Sequence, residues 1–446
     1  MLGKLFQSKL LSFANSTEIK CIVLFAMACR FLLFAFYLHT TKVPDSFSFI
    51  ELGDRLLDFN LNGYNGQRSP GYPLLYFLAL GIGPVVVMYQ FIIGTITAVF
   101  MYKTLLNYHL SKKISFYAVI IFQTFLHVFF YETTILVETV TLLILVIIFY
   151  LLSKNYLESK QFGSKILMAI LLSYLVLVKP FYAYLPFLIY GFVLLKKFNL
   201  QRAIHQTVII LLPLSCYFGW SYVNKINTGH FVSTTFFGLN IAQNCVHFAE
   251  KAPKEFDWIA QPYVKHRELA KAQNKDVAMT IWYAYEAGEY DHKKLNFPDL
   301  SHELGKFGKA AIEQNQRDYW QQVVCISFID FWNVFDIKKH ITFKIQGVDN
   351  FITAIWETQK IVLTIIKYFF LLLVPFYLVT FIKNRRVTHE FMIVTVVLVT
   401  AVLQAIVTFG TNSKYSFPFE FFMVAVVLLF VKKNFFRSKH LNIDGQ

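Results

Sequence analysis

Charged residues are scarce in this sequence. Only 15% of its 446 residues are Asp, Glu, Lys or Arg, against about 25% in an average soluble domain. The mean hydropathy is +0.49, and 49 Phe and 25 Tyr add to the apolar character. A soluble chain of this length could not enclose so much apolar surface in one core. The composition therefore argues against an ordinary soluble domain and favours a chain that crosses a bilayer.

Acids, cysteines and repeats are also few. The 27 acids are outnumbered by 42 Lys and Arg, and the net charge is +15. The cations stand at the ends of apolar runs, which indicates membrane orientation rather than nucleic-acid binding. The five cysteines form neither a CxxC pair nor a metal spacing, so free thiols are the preferred interpretation, although Cys245 and Cys325 could pair outside the cytoplasm. No repeat is evident among the apolar segments, and repeats are typical of secondary transporters.

Ten apolar segments predict an all-α, polytopic membrane protein with about ten transmembrane helices. The first is too long for the apolar part of a cleavable signal. Short loops rich in Lys and Arg alternate with loops poor in them, so the former and both termini are predicted to be cytoplasmic. Residues 72–82 would invert every later loop if they spanned, and we expect them on the outer face. The segments are 20–39, 84–102, 114–131, 135–152, 166–178, 181–195, 203–223, 359–382, 390–409 and 417–431.

Three parts of the chain follow from this topology. Residues 1–223 form an N-terminal transmembrane module with a first outer loop at 40–83. Residues 224–357 form a large extracytoplasmic segment that holds more than half of the acids, and 358–446 form C-terminal transmembrane helices. Apolar residues recur at helical spacing over 299–336. That pattern predicts one long helix, which either lies in the interface or packs on the membrane domain.

The first outer loop carries the most informative residues. Phe49, Leu52, Leu56 and Phe59 recur at helical spacing and predict an amphipathic helix on the outer membrane surface. Asp45 stands just before this helix. It could cap the helix, act in catalysis or do both. Arg68 then lies in a proline-stiffened turn, where its guanidinium could meet phosphate oxygens.

Several short motifs follow one another along the chain. Arg30 in the first segment precedes Asp45 and Phe49, and an R-x-P-G-Y-P segment begins at Arg68. The later motifs are Glu138 with Glu132 six residues before it, Lys179-Pro180, Trp220, Asn224, Gly229 to Ser233, Gly238-Leu239-Asn240, and Lys414-Tyr415 before Pro418.

In this order the motifs resemble the GT-C glycosyltransferases. The resemblance is to the bacterial branch related to protein O-mannosyltransferases and the lipid A aminoarabinose transferase, and it covers nearly the whole chain. Lys179 and Lys414 depart from the pattern, because Arg is usual at both places. Lysine keeps the charge but loses the bidentate geometry. Lysines at helix ends also commonly extend to the lipid headgroups, and this alone could explain Lys179 and Lys414.

The resemblance implies a glycosyltransferase, a hexosyl- or pentosyltransferase, in the bacterial inner membrane with its active site outside the cytoplasm. A polyprenyl-phosphate sugar would donate its sugar, with inversion, to a hydroxyl of a lipid, glycan or protein acceptor. Asp45 would be the base, and Glu138 would be a second catalytic carboxylate. Arg68, Lys179, Lys414 and Tyr415 would bind the donor phosphate. Further pocket candidates are Arg30, Glu132, Asn240 and Tyr72, with a structural ion pair preferred for Arg30.

Some alternatives stay open. Glu138 could pair with Lys179 or Arg30, orient the acceptor, or bind a divalent cation together with Asp45, so a divalent metal is a possible cofactor. An O-antigen polymerase or ligase also has about ten spans and a long outer loop, but usually relies on Arg-rich outer loops. A lipid or solute transporter predicts internal repeats and charges near the bilayer midplane.

Overall fold

The computed structural model describes residues 16–159, 161–196 and 198–435. These ranges are helical with connecting turns and loops and contain no strand beyond an isolated bridge between Thr41 and Thr134, so the predicted all-α class is confirmed. Both termini, and Lys160 and Lys197 of the cationic loops, lie outside the described residues. The helices are α1 (Thr17–Tyr37), α2 (Pro44–Leu57), α3 (Pro73–Leu78), α4 (Gly83–Asn107), α5 (Lys112–Gln123), α6 (Leu126–Thr133), α7 (Glu138–Ser153), α8 (Phe162–Val178), α9 (Leu185–Lys196), α10 (Leu200–Gln206), α11 (Val208–Thr228), α12 (Phe236–Gln243), α13 (Asp257–Ala272), α14 (Thr280–Glu286), α15 (Phe297–Gln314), α16 (Gln316–Gln322), α17 (Phe328–Phe331), α18 (Gln346–Asn384), α19 (His389–Val407) and α20 (Phe417–Phe435).

Six of these helices are long and apolar enough to cross a membrane, namely α1, α4, α11 with the end of α10, α18, α19 and α20. The pair α5 and α6, bent by 56°, would be a seventh span if it crosses as one unit. Helices α7, α8 and the segment Pro180–Lys196 are apolar but shorter. All ten predicted segments are thus mainly helical, and the described residues contain six candidate spans, or seven if the bent pair crosses as one unit, which indicates a membrane protein. The expected number of about ten spans stays a prediction.

The centre of the bundle is α7. Nearly all of its residues are buried, including Leu145, Val146 and Ile148, and it packs against α4, α8 and α20. Helix α1 behaves differently, because Leu24 and Leu32 are 70% and 64% exposed. A helix that is apolar on every side must be enclosed by protein or by lipid. Helix α7 is enclosed by protein, whereas the outer surface of α1 is left for lipid.

The cationic loops meet at one end of the bundle. Lys196 Nζ donates to Asn155 Oδ1 at 2.8 Å and pairs with Glu158 at 3.3 Å. From α20, Lys432 and Lys433 reach the backbone of His109 and the carboxylate of Glu390. At the other end the first loop meets the α6–α7 connection, where the Thr41 N–H donates to the Thr133 carbonyl at 2.9 Å. This grouping agrees with the predicted alternation of loops between two ends.

We call residues 236–331 the outer unit; most of its buried residues belong to a second hydrophobic cluster, which also includes Ala405 and Phe409. Its helices α12 and α15 cross so closely that a Cβ on Gly238 would lie 1.7 Å from the Ser301 carbonyl oxygen. The expected single helix over 299–336 is wrong in its continuity, because it is divided at Asn315 and contains a π-helical turn, Val323–Ser327. Its apolar face, with Leu304 and Phe307, is buried within the outer unit. Packing against protein therefore explains the periodicity.

The predicted surface helix of the first loop is α2, with Phe49 and Leu52 buried. It ends at Leu57, and Phe59 follows in a left-handed conformation and is 87% exposed, so the assignment of Phe59 to the apolar face was wrong.

Within 72–82 the helix α3 has only six residues, too few to span. The expected part boundaries at 223 and 357 fall inside α11 and α18. Helix α18, about 58 Å long at 1.5 Å per residue, begins well before the predicted segment.

Candidate active site

The carboxylate of Asp45 lies between two cations from distant parts of the chain. Its Oδ1 accepts from Arg68 Nη2 at 2.7 Å, and its Oδ2 accepts from Lys414 Nζ at 2.7 Å. The Asp45 side chain keeps 40% of its exposed area. Burial acts to raise the pKa of Asp45, but the charges of Lys414 and Arg68 outweigh it and hold that pKa well below its usual range. The two cations therefore favour the ionised form of Asp45.

Asp45 does not cap its helix. The N-cap is Val43, Pro44 opens the first turn with its fixed φ, and the Val43 N–H donates to Ser46 Oγ at 3.0 Å. The N-cap interpretation of Asp45 was therefore wrong. The Ser46 hydroxyl bonds the N-cap backbone, and the Asp45 carboxylate pairs with Arg68 and Lys414 instead.

Arg68 is held on several sides. Its guanidinium carbon lies 4.2 Å from the Phe49 ring centroid and 4.7 Å from that of Phe236, which forms a cation–π sandwich. Its Nε donates to Ser48 Oγ at 2.7 Å. Its backbone carbonyl accepts from Tyr64 and Trp220 at 2.8 and 3.1 Å. These contacts fix the guanidinium in one position and orientation.

A close backbone approach places the Arg68 segment next to Lys179. The Gly71 N–H donates to the Leu177 carbonyl at 2.9 Å, and a Cβ on Gly71 would lie 2.4 Å from the Val178 nitrogen. Only glycine fits there. Lys179 then precedes Pro180, which disfavours helical backbone, so α8 ends and Lys179 is extended.

Lys179 faces Glu138 and Tyr415. Its Nζ lies 3.9 Å from Glu138 Oε1 and 3.9 Å from the Tyr415 ring centroid. Burial lowers the pKa of Lys179 to about 8, although Glu138 opposes the shift. Glu138 opens α7, where the helix dipole favours an acid, and its Oε2 is buried with no hydrogen-bond partner among the described residues. That oxygen is free to accept a bond from a ligand.

Lys414 and Tyr415 lie in a 3₁₀ turn, Asn412–Ser416, that is tied down by neighbours. The Ser413 N–H donates to Asp330 Oδ2 at 3.1 Å, and Asn412 Nδ2 donates to the Ser327 carbonyl at 3.1 Å. From α18, the buried Lys367 donates to Ser416 Oγ at 2.6 Å. The turn therefore has little freedom to carry Lys414 away from Asp45.

Four other candidates lie outside this cluster. Arg30 Nη2 pairs with Glu132 Oε1 at 2.5 Å and donates to Gln123 at 2.8 Å, all three deep in the bundle. Arg30 and Glu132 thus lie apart from the Asp45 cluster, and the structural ion pair preferred for Arg30 is observed. Tyr72 is fully buried behind Phe49 and donates to Gln90. Asn240 makes no side-chain hydrogen bond to the cluster within the described ranges.

Three features that support Arg68 or the turn of Lys414 were not identified from the sequence. Ser48 could have been found, because it follows Asp45 by three positions on the same helix. Phe236 gave no local signal, since it comes from the outer unit. The third is a buried group in which Glu420 pairs with His127 Nε2 at 2.5 Å and Lys367 Nζ at 3.2 Å.

A divalent cation does not fit the residues present. Both Asp45 oxygens already accept from cations, and Lys179 stands against Glu138. A hard cation takes six or more oxygen ligands in such sites, and the described residues hold no group of three His, Cys, Asp or Glu that could bind a metal ion. The suggestion of a metal at Asp45 and Glu138 therefore lacks a suitable donor set, and no chemical step is derived through one. The described cysteines are all free.

Comparison of the chain with protein-family models, with curated proteins and with solved structures finds no match.

Proposed function

We propose that the protein is a glycosyltransferase that moves a sugar from a polyprenyl-phosphate donor to an acceptor hydroxyl. The observation that carries the proposal is the Asp45 carboxylate between Arg68 and Lys414, with Lys179 and Glu138 beside it. A carboxylate next to fixed cations supplies both needs of this reaction. One is a proton acceptor, and the other is a site for a phosphate leaving group.

The chemistry balances with these groups. The acceptor oxygen attacks the anomeric carbon and its proton passes to Asp45. The bond from that carbon to the phosphate oxygen breaks, and the polyprenyl phosphate leaves with the electron pair and one more negative charge. Attack opposite the leaving group inverts the configuration. General-base assistance of this kind contributes about 10²–10⁴ in rate.

The cations serve the leaving group. Arg68 offers a guanidinium fork that suits phosphate oxygens, and Lys414 and Lys179 add point charges. Fixed charges aimed at developing negative charge need no reorganisation during the reaction. Tyr415 lies against both lysines: its ring centroid is 3.9 Å from Lys179 Nζ and 5.2 Å from Lys414 Nζ. Glu138 Oε2 would accept from an acceptor or sugar hydroxyl.

The remaining expectations belong to this proposal. They are a GT-C-like fold with about ten spans, a bacterial inner-membrane location, cytoplasmic termini and an active site outside the cytoplasm. The ends of the bundle support them, because the Lys-rich loops share one end and Asp45 lies away from it. The acceptor would be a lipid, glycan or protein hydroxyl, and nucleic acid would not take part.

A second candidate is transport of a lipid or solute. It is favoured by the buried pairs Arg30–Glu132 and Lys367–Glu420 inside the bundle, because intramembrane charges often mark transport pathways. Transport gives no reason, however, for a half-exposed carboxylate shared between two cations at one end.

Sugar transfer in membranes tests the proposal. Membranes containing the wild type or Asp45→Asn receive a panel of radiolabelled polyprenyl-phosphate sugars, and label is followed into lipid, glycan and protein. We expect transfer by the wild type and a loss of at least about 10²-fold in Asp45→Asn. The matched control is Asp58→Asn, an exposed acid just past the same helix.

Equal transfer by Asp45→Asn and the wild type would remove Asp45 from the role of base. Movement of labelled lipid across the membrane without transfer of sugar would favour the second candidate.

A further inference from the structure

We propose that Asp45 occupies the anion site of Arg68 and Lys414 in the donor-free protein, so that a lipid phosphate binds by displacing this carboxylate and thereby frees it to act as the base. The inference rests on the proposed function for the identity of the lipid phosphate and concerns the regulation of the same site.

The two carboxylate oxygens imitate a bound phosphate. Each accepts one hydrogen bond of 2.7 Å, Oδ1 from Arg68 and Oδ2 from Lys414. Carboxylate and phosphate oxygens are the two anionic partners that a guanidinium recognises with the same donors. A phosphate that used these donors would compete directly with Asp45.

Asp45 is the partner that can move. Arg68 is fixed between Phe49 and Phe236 and bonded to Ser48, and Lys414 lies in the anchored turn Asn412–Ser416. The Asp45 side chain is short, 40% exposed, and its oxygens have no further hydrogen-bond partner among the described residues. Rotation of its side chain would leave both donors in place for an incoming anion.

The charges around the site leave room for one more anion. Three cations, Arg68, Lys179 and Lys414, face two carboxylates, Asp45 and Glu138. A sugar phosphodiester brings one negative charge and would balance them. The other polar groups nearby are Tyr415 and His340, and burial and the charge of Lys414 lower the pKa of His340, which disfavours its cationic form.

Displacement also changes the chemistry of Asp45. While it pairs with Lys414 and Arg68 its pKa lies well below the usual range, which makes it a weak base. Once the cations turn to the phosphate, that restraint weakens, and the negative charge of the nearby phosphate favours the protonated form. A base becomes efficient as its pKa approaches the working pH. The carboxylate would thus gain basicity only when a donor is present.

Binding of a lipid phosphate, without turnover, tests this inference. The affinity of the purified full-length protein in lipid nanodiscs is measured for farnesyl phosphate, with farnesol as the uncharged probe. We expect Asp45→Asn to bind farnesyl phosphate about tenfold or more tightly than the wild type, because the competing internal anion is gone. Affinity for farnesol should not change. Asp58→Asn serves as the matched control and should bind like the wild type.

A second measurement follows protons. Calorimetric titration in buffers of different ionisation enthalpy gives the number of protons taken up on binding. The wild type should take up more protons than Asp45→Asn, since the displaced carboxylate gains proton affinity. If Asp45→Asn does not fold, as judged by its thermal unfolding, Asp45→Ser removes the same charge and takes its place.

Equal or weaker binding by the charge-free variants would overturn the inference. Tighter binding by these variants in a protein that transfers no sugar would contradict the proposed function alone and leave the displacement standing. Sugar transfer together with weaker binding by the variants would contradict the displacement and leave the proposed function standing.

Discussion

Lys414 Nζ donates to Asp45 Oδ2 at 2.7 Å although 369 residues separate the two. One residue lies just after the first candidate span and the other just before α20. The ion pair therefore joins the first loop to the segment that precedes the last described helix. Arg68 completes the group from the same loop as Asp45.

The charge of Lys179 should limit donor capture at alkaline pH. Burial lowers its pKa to about 8, so the ammonium is present below that pH and is lost as pH rises through it. We expect kcat/KM for sugar transfer to fall above about pH 8 in the wild type. In Lys179→Arg the charge persists and the alkaline fall should move to higher pH. A pH profile of both proteins checks this, and an unmoved fall would assign it to another group.

Replacement of Gly71 should disturb the cations without touching them. In Gly71→Ala the new Cβ would lie 2.4 Å from the Val178 nitrogen and 2.5 Å from the Leu177 carbonyl carbon, both rigid backbone atoms. The Arg68 segment must then move away from the end of α8. We expect a loss of about 10²-fold in kcat/KM, as for misplacement by about 1 Å. Gly163→Ala is the control, because no atom lies near its Cβ position, and similar losses in both variants would refute the argument.

Gly94 makes room for the buried pair of Arg30 and Glu132. A Cβ at Gly94 would lie 1.8 Å from Glu132 Oε1 and 2.5 Å from Arg30 Nη2. Gly94→Ala should therefore separate the pair and lower the free energy of unfolding by about 3 kcal/mol or more. Thermal unfolding in detergent measures the effect. Gly191→Ala, on a helix with open space around it, should unfold like the wild type, and equal stability of Gly94→Ala would contradict the prediction.

Lys367 and Glu420 should be coupled in stability. Loss of one partner leaves a buried charge short of its counter-charge and costs about 3–5 kcal/mol. Lys367→Met and Glu420→Gln should each destabilise the protein, and the double variant should lose less than the two separate losses added together. Thermal unfolding of all four proteins forms the cycle. Strict additivity would mean that the observed contact of 3.2 Å contributes no coupling.

The sequence predicted the helices better than the contacts between them. Apolar runs mark helices in any context, and cations at loop ends indicate their sidedness. The resemblance, together with the predicted placement of Asp45, Arg68, Lys179 and Lys414 on one face, also allowed their meeting to be expected. Phe236 and the buried partners of Lys367 could not be foreseen, because packing between segments far apart in sequence decides them. A structural ion pair was expected for Arg30 and is observed, but its partner Glu132 could not be read from spacing, because contacts between helices decide it.

The outer unit contacts both cationic segments. On one side Phe236 lies against Arg68, and Thr235, directly before the unit, donates its N–H to the Gly66 carbonyl at 2.9 Å. On the other side Ser327 and Asp330 hold the turn that carries Lys414. A tilt of this unit away from the bundle would loosen Arg68 and Lys414 in the same movement. The positions of both cations therefore depend on one packed unit rather than on two independent supports.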